Sequence, residues 1–201
     1  TRQYILPLET YARERAAFRA RVMAHRKPRT VPLGEHLTLI FEDRLTVHYQ
    51  IQEMLRAERI FEESAILAEL AVYTPLIPDG DNWKATLLIA YPDPAERAQK
   101  LAELVGIETR VWVKIAGQEK IFASADTDLA RSDGKKTSAV HFLTFALPAA
   151  ARHALQAGAA LELGVAHPRY TANTAIAGET LRALLADLDT ANTGHTDGHT
   201  A

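Results

Sequence analysis

Two stretches in the second half of the chain carry the same succession of signals, and that succession restricts the fold more than any other feature. ATLLIAY, beginning at Ala85, has strand composition; DPAERAQKLAELVG follows as a helix with Asp93 ahead of a first-turn Pro94 and Gly106 at its end; TRVWVKIA returns to strand. About 53 residues later SAVHFLTFAL, PAAARHALQAG with Pro148 and Gly158, and ALELGVAH repeat the order. Proline suits a first turn because its missing N–H would have no partner there, and glycine suits an end where the chain leaves through a left-handed turn. Identity between the two units is low, so an internal pseudo-repeat and convergence on one supersecondary unit are equally fair accounts. Helices of this length permit right-handed crossovers between strands of one sheet. EKIFASA reads as an additional strand, DTDLARSDGKKT as a polar loop, RYTANTAIA as a last strand and GETLRALLADL as a last helix.

Ahead of these units, Tyr11, Phe18 and Val22 recur at helical spacing until Lys27-Pro28 stops the pattern. RTVPLG and HLTLIFE then form a strand hairpin turning at Gly34. Asp43 or Thr46 can cap a helix beginning near Val47, whose stripe of Val47, Ile51 and Met54 gives way to Ile66, Leu70 and Tyr73 on a rotated face. A kink or break between Arg59 and Ser64 follows, and Pro75, Pro78 and PDGDN end the segment. The expected fold is α+β: one mixed sheet of six to eight strands with helices mainly on one face, an N-terminal basic helix, a strand-led helical hairpin and two βαβ-like units. Residues 1–188 are expected to form a single domain, with 189–201, which lack any large apolar side chain, as a flexible tail.

Composition narrows the chemistry. At 201 residues, 47% hydrophobic and 24% charged, the chain is an ordinary globular sequence, without an apolar run long enough to span a membrane. TRQYILPLET lacks the pattern of a signal peptide, so a cytoplasmic location is expected. Absence of cysteine excludes disulfides, thiolate nucleophiles and cysteine-ligated zinc or iron–sulfur centres, and no resident cofactor or metal is expected. The net charge of −2 is uneven, because residues 10–30 carry seven bases against Glu14 alone. Such a segment could meet nucleic acid or an acidic protein, but no aromatic interleaving, recognition-helix pattern or zinc framework supports nucleic acid. A solvated arginine-rich face on an amphipathic helix explains it.

The candidate site residues come from polar groups at apolar positions. With Val47 at zero on the helical wheel Glu58 falls at about 20°, inside the apolar stripe, and Glu62 shares that side. A carboxylate facing a core must be protonated, hydrogen-bonded or paired, and Arg44, Arg56, Arg59 and the arginines of the first helix are at hand. A buried Glu–Arg bridge, a binding or catalytic carboxylate, and a helix that ends early and frees Glu58 all remain open. His141 is out of phase with Val140 and Phe142 and is expected on the less apolar side of its strand; His167 ends a strand before Pro168. Either imidazole could act as acid or base, making Glu58 and His141 the catalytic candidates. No Glu-x-x-His pair, GxSxG elbow, phosphate-binding loop or GxGxxG turn occurs.

FEDRLTVHYQIQEMLRAERI (Phe41–Ile60), the helix ending AVYTPLIPDG, ATLLIA, SAVHFLTF and the HPRY turn together resemble a bacterial family of about 200 residues classed as a domain of unknown function. The resemblance runs from Tyr11 to Leu188, and its motif falls on Arg44, Thr46, Gln50, Glu53, Arg56, Glu58 and Arg59, with Asp43 where asparagine is more usual. Members are often encoded beside a rubrerythrin and a cysteine-rich iron–sulfur oxidoreductase subunit. The resemblance therefore implies a non-catalytic accessory or assembly protein in a peroxide- or oxygen-linked redox system, with rubrerythrin-like and iron–sulfur oxidoreductase proteins as partners. The binding candidates are Arg44, Gln50, Glu53, Arg56, Glu58, Arg59, Glu62 and His167. The alternative is a small-molecule enzyme or sensor with a pocket around Glu58, between the helical hairpin and the sheet. A symmetric homodimer stays open.

Overall fold

A computed structural model describes residues 2–125 and 136–188. Most of the DTDLARSDGKKT loop and the 189–201 tail lie outside them. Helix α1 (Leu8–Arg26) buries Tyr11, Phe18 and Val22, the three residues of its expected stripe. A 3-10 turn at Lys27–Arg29 leads into the hairpin of β1 (Thr30–Leu33) and β2 (Leu37–Glu42), paired antiparallel with Leu33 opposite Leu37. Pro32 is tolerated because β1 is an edge strand, where a missing N–H breaks no ladder. Helices α2 (Arg44–Ala57) and α3 (Glu63–Tyr73) follow.

The chain continues through β3 (Asn82–Ile89), α4 (Pro94–Glu103), β4 (Val111–Ile115), β5 (Ile121–Phe122), β6 (Ser124–Ala125), β7 (Val140–Ala146), α5 (Ala149–Gln156), β8 (Leu161–His167), β9 (Tyr170–Ile176) and α6 (Gly178–Ala186). The class is α+β, but the strands form two sheets, ordered β1-β2-β3-β7-β6 and β5-β4-β8-β9, and every pair is antiparallel. This corrects the single mixed sheet. Each strand–helix–strand unit starts in the first sheet and ends in the second, so its own strands never pair. Instead β3 pairs with β7 and β4 with β8, equivalent strands running in opposite directions, as a two-fold relation between the units would require. The EKIFASA strand splits for the same reason, with β5 on the second sheet and β6 on the first.

The two sheets face each other across the main core, in which Leu39, Phe41, Trp83, Leu87, Leu143 and Phe145 meet Val111, Val113, Ile115, Leu161, Leu163 and Val165. Burying a side chain of this size stabilises the fold by about 1.5–3 kcal/mol. Trp83 also has its indole N–H paired, donating to the Leu184 carbonyl at 2.8 Å and tying α6 to the sheet. A second cluster (Val47, Ile51, Leu55, Ile66, Leu76) packs against Phe142 on the other face of the first sheet, and a third (Tyr11, Phe18, Val22, Tyr49) joins α1 to α2. Both faces of β7 are therefore covered, and this corrects the reading of His141. It lies on the inner face with Leu143 and Phe145, 3% exposed. Alternation identified the residues sharing its face, but not which face was inside.

Candidate functional site

The layer of α1, α2 and α3 carries most of the sequence candidates, and Asp43 starts it. Its Oδ1 accepts from the Thr46 N–H at 2.9 Å while the Thr46 hydroxyl oxygen accepts from the Asp43 N–H at 2.8 Å, a reciprocal cap that begins α2 at Arg44, three residues before Val47. The other oxygen, Oδ2, lies 2.5 Å from His25 Nε2 and 3.1 Å from Arg29. Arg29, expected on the solvated basic face, is 4% exposed and forks onto Asp187 at 2.7 and 2.8 Å. Burial raises the Asp187 carboxyl above its ordinary range against the opposing pull of Arg29. This network joins the end of α1, the start of α2 and the end of α6. No spacing rule links residues so far apart in the chain.

Glu53 is the polar centre of the α1–α2 contact. It receives Arg15 through Nε and a terminal nitrogen, both at 2.7 Å, and the Tyr11 hydroxyl at 2.7 Å. These donors, Arg15 foremost, hold its carboxyl down at about 2. Arg56, exposed one turn on, approaches Glu53 at 3.8 Å. Gln52 binds the N-terminal segment, its Oε1 accepting from the Leu6 N–H at 2.6 Å. Burial lowers the basicity of His48, whose ring meets Phe18 edge-on at 5.2 Å.

Glu58 is not in the core. α2 ends at Ala57, Glu58 is its exposed C-cap, and Arg59 takes a left-handed φ of 53°. The Ile60 N–H then bonds back to the Leu55 carbonyl at 2.9 Å, and Ile60 packs beside Leu55, closing the helix by a six-to-one turn with a hydrophobic latch. The wheel angle of Glu58 loses its meaning because the helix stops there. Glu62, at the N-cap of α3, is exposed as well. The space between the hairpin and the sheet is filled by the apolar cluster around Val47 and Phe142, so Glu58 lies outside it.

The remaining candidates separate. Arg44 is exposed with its guanidinium 6.0 Å from the Tyr4 ring, and Gln50 is half-buried on α2. His141 Nε2 lies 2.8 Å from the Thr137 hydroxyl and 3.0 Å from the Ser138 carbonyl. His167 is 7% exposed; its Nδ1 accepts from the Arg169 N–H and its Nε2 faces the Val105 carbonyl, both at 3.2 Å, so the ring locks the β8–β9 turn. Both histidines are engaged in local structure. Among the described residues no group of three or more His, Asp or Glu side chains is placed to hold a metal ion.

A different feature stands out on α3. Its solvent-facing half carries Glu63 and Ser64 in the first turn and then only Leu67, Ala68, Ala71 and Val72. Leu67 is 50% exposed, Val72 58%, and Phe61 just ahead of the helix 65%. Only Ile66 of the helix is fully buried. Glu58, Glu62 and Glu63 border the apolar surface at its N-terminal end, with Glu63 paired to Arg2 at 2.9 Å. The signal is present in the sequence: beyond its first turn ESAILAELAVY has Glu69, half-buried, as its one charged residue and no continuous polar face, a pattern that belongs either to a helix buried all round or to one with a partner.

No helix among the described residues is long and apolar enough to cross a membrane. No curated protein matches the chain. A crystal structure described as a novel protein of unknown function from Burkholderia pseudomallei K96243 superposes with a TM-score of 0.89 at 48% identity, covering 94% of this chain and 98% of that one. Residues 1–188 match the family described as protein of unknown function, DUF3501, and the chain belongs to that family.

Proposed function

We propose that the chain is an accessory or assembly protein that docks a partner protein through α3 and the turn before it. The observation that carries this reading is the exposed apolar half of α3 with Phe61 beside it, bordered by Glu58 and Glu62. An apolar patch with a charged border is the usual anatomy of a protein contact, its centre supplying affinity and its rim orientation. The border is mixed in charge, with exposed Arg59 beside Glu58 and Arg2 paired to Glu63, so pairs of both signs would orient the partner. The family resemblance seen in FEDRLTVHYQIQEMLRAERI supplies the partner class: a rubrerythrin-like protein or an iron–sulfur oxidoreductase subunit. Electrons would pass through the partners, since this chain has no cysteine to hold a cluster.

The test is affinity isolation from the native host, with mass spectrometry and metal analysis of the same fraction, for the wild type and for a Phe61→Ser/Val72→Ser variant. Both side chains are largely exposed, so the variant is expected to keep its thermal midpoint. Iron-bearing redox proteins should accompany the wild type and be lost from the variant. A wild type that emerges alone and metal-free, or a variant that retains the same proteins, overturns the reading.

A further inference from the structure

A cleft of about 580 Å³ opens beside the β1–β2 turn, away from α3, with Glu35, His36, Ile89, Tyr91, Pro92 and Arg97 among its walls. The cleft is open to solvent, with room for a small ligand to lie along its floor. His36 stacks on Tyr91, ring centroids 4.0 Å apart and planes inclined by 22°. The stack is held in place on several sides. The His36 N–H donates to the Tyr170 hydroxyl at 3.1 Å, which in turn donates to the Leu33 carbonyl at 2.7 Å. Gly34 makes this approach feasible, with φ at +69° and no Cβ, which would sit 2.5 Å from the Tyr170 oxygen.

The His36 ring is oriented as well. Its Nδ1 lies 3.2 Å from the Ala90 carbonyl, and because a carbonyl only accepts, Nδ1 carries the hydrogen. Nε2 is left on the outer edge, 3.8 Å from Glu35, whose side chain is 87% exposed and solvated at the rim. Arg97 of α4 is exposed on the neighbouring wall and reaches the Tyr91 carbonyl with one nitrogen at 3.5 Å, leaving most of its donors directed elsewhere. Ile89 and Pro92 supply apolar wall. The cleft thus combines a fixed aromatic platform, an apolar wall and a guanidinium.

From this arrangement we infer that the cleft binds a small organic anion bearing a flat ring, the ring lying against His36, which the buried Tyr91 backs, and the carboxylate or phosphate on Arg97. A guanidinium forks onto such oxygens, and a rigid aromatic surface offers a face without rotamer entropy to lose. The site is independent of the docking surface on α3.

Phenyl phosphate is a suitable probe, titrated into the full chain while the His36 ring proton is followed by NMR, assigned through a His36→Gln variant. Inorganic phosphate, which lacks the ring, and benzyl alcohol, which lacks the charge, are the comparisons. A saturable shift with a dissociation constant of about 1 mM or below is expected for phenyl phosphate, at least about tenfold tighter than either comparison, and weakened about tenfold by Arg97→Gln. Arg97 is exposed, so that variant should keep the wild-type thermal midpoint. Absence of a saturable shift, equal binding of inorganic phosphate, or an affinity untouched by Arg97→Gln overturns the inference.

Discussion

Glu53 and Arg15 face each other across the α1–α2 contact with both carboxylate oxygens 2.7 Å from guanidinium nitrogens, and the Tyr11 hydroxyl closes on the same carboxylate. The pair is one-quarter to one-third exposed, which screens it but leaves the geometry bidentate.

The Glu53 carboxyl is depressed from 4.5 to about 2 by Arg15 and then Tyr11, so its contribution to stability is fully present above pH 4.5 and is lost as pH falls through about 2. Glu53→Gln should therefore be less stable than the wild type by on the order of 1–2 kcal/mol at pH 7, with the gap closing between pH 4.5 and 2. Urea unfolding of both proteins across that range checks it. A gap that stays constant with pH would show that the loss comes from packing.

Arg59 holds the left-handed position that closes α2 at φ 53°, a conformation that costs a residue with a Cβ about 1 kcal/mol relative to glycine. Arg59→Gly should raise stability by about 0.5–1 kcal/mol, less whatever the unfolded chain gains in freedom. Chemical denaturation gives the sign directly, and a destabilised Arg59→Gly would mean that the arginine side chain contributes more than its backbone strain costs.

Gly164 and Trp112 are directly opposed on β8 and β4, and a Cβ at position 164 would overlap the indole ring. Rigid aromatic carbon cannot yield to such an overlap, so Gly164→Ala should displace Trp112 and cost about 2 kcal/mol or more. Loss of near-ultraviolet circular dichroism together with a lower thermal midpoint would report the displaced indole. An unchanged midpoint would count against the contact.

Helix and strand positions were legible wherever local chemistry is self-contained. The Asp93 side chain accepts from the Glu96 N–H at 2.7 Å ahead of Pro94, Asp43 and Thr46 cap α2 together, and the Gly34 hairpin forms as its residues require. Phe61, Leu67 and Val72 were legible in principle, since a helix without a polar face is a signal in itself. Of the three open readings of Glu58, the early helix end is the one realised; the wheel carries the stripe past that end, and the left-handed closure at Arg59 lacks the glycine that usually marks one.

Sequence alone determined the local elements, the α+β class and the stripe that docks α1, because caps, proline, and apolar periodicity act within a few residues. Tertiary structure decided which strands pair, which face of β7 is inner, and that Arg29 meets Asp187 across more than 150 positions. Those outcomes depend on how two sheets and a helical layer share apolar surface. Burial is non-directional and is read by no local pattern, so a histidine or arginine learns whether it is inside only when the layers close.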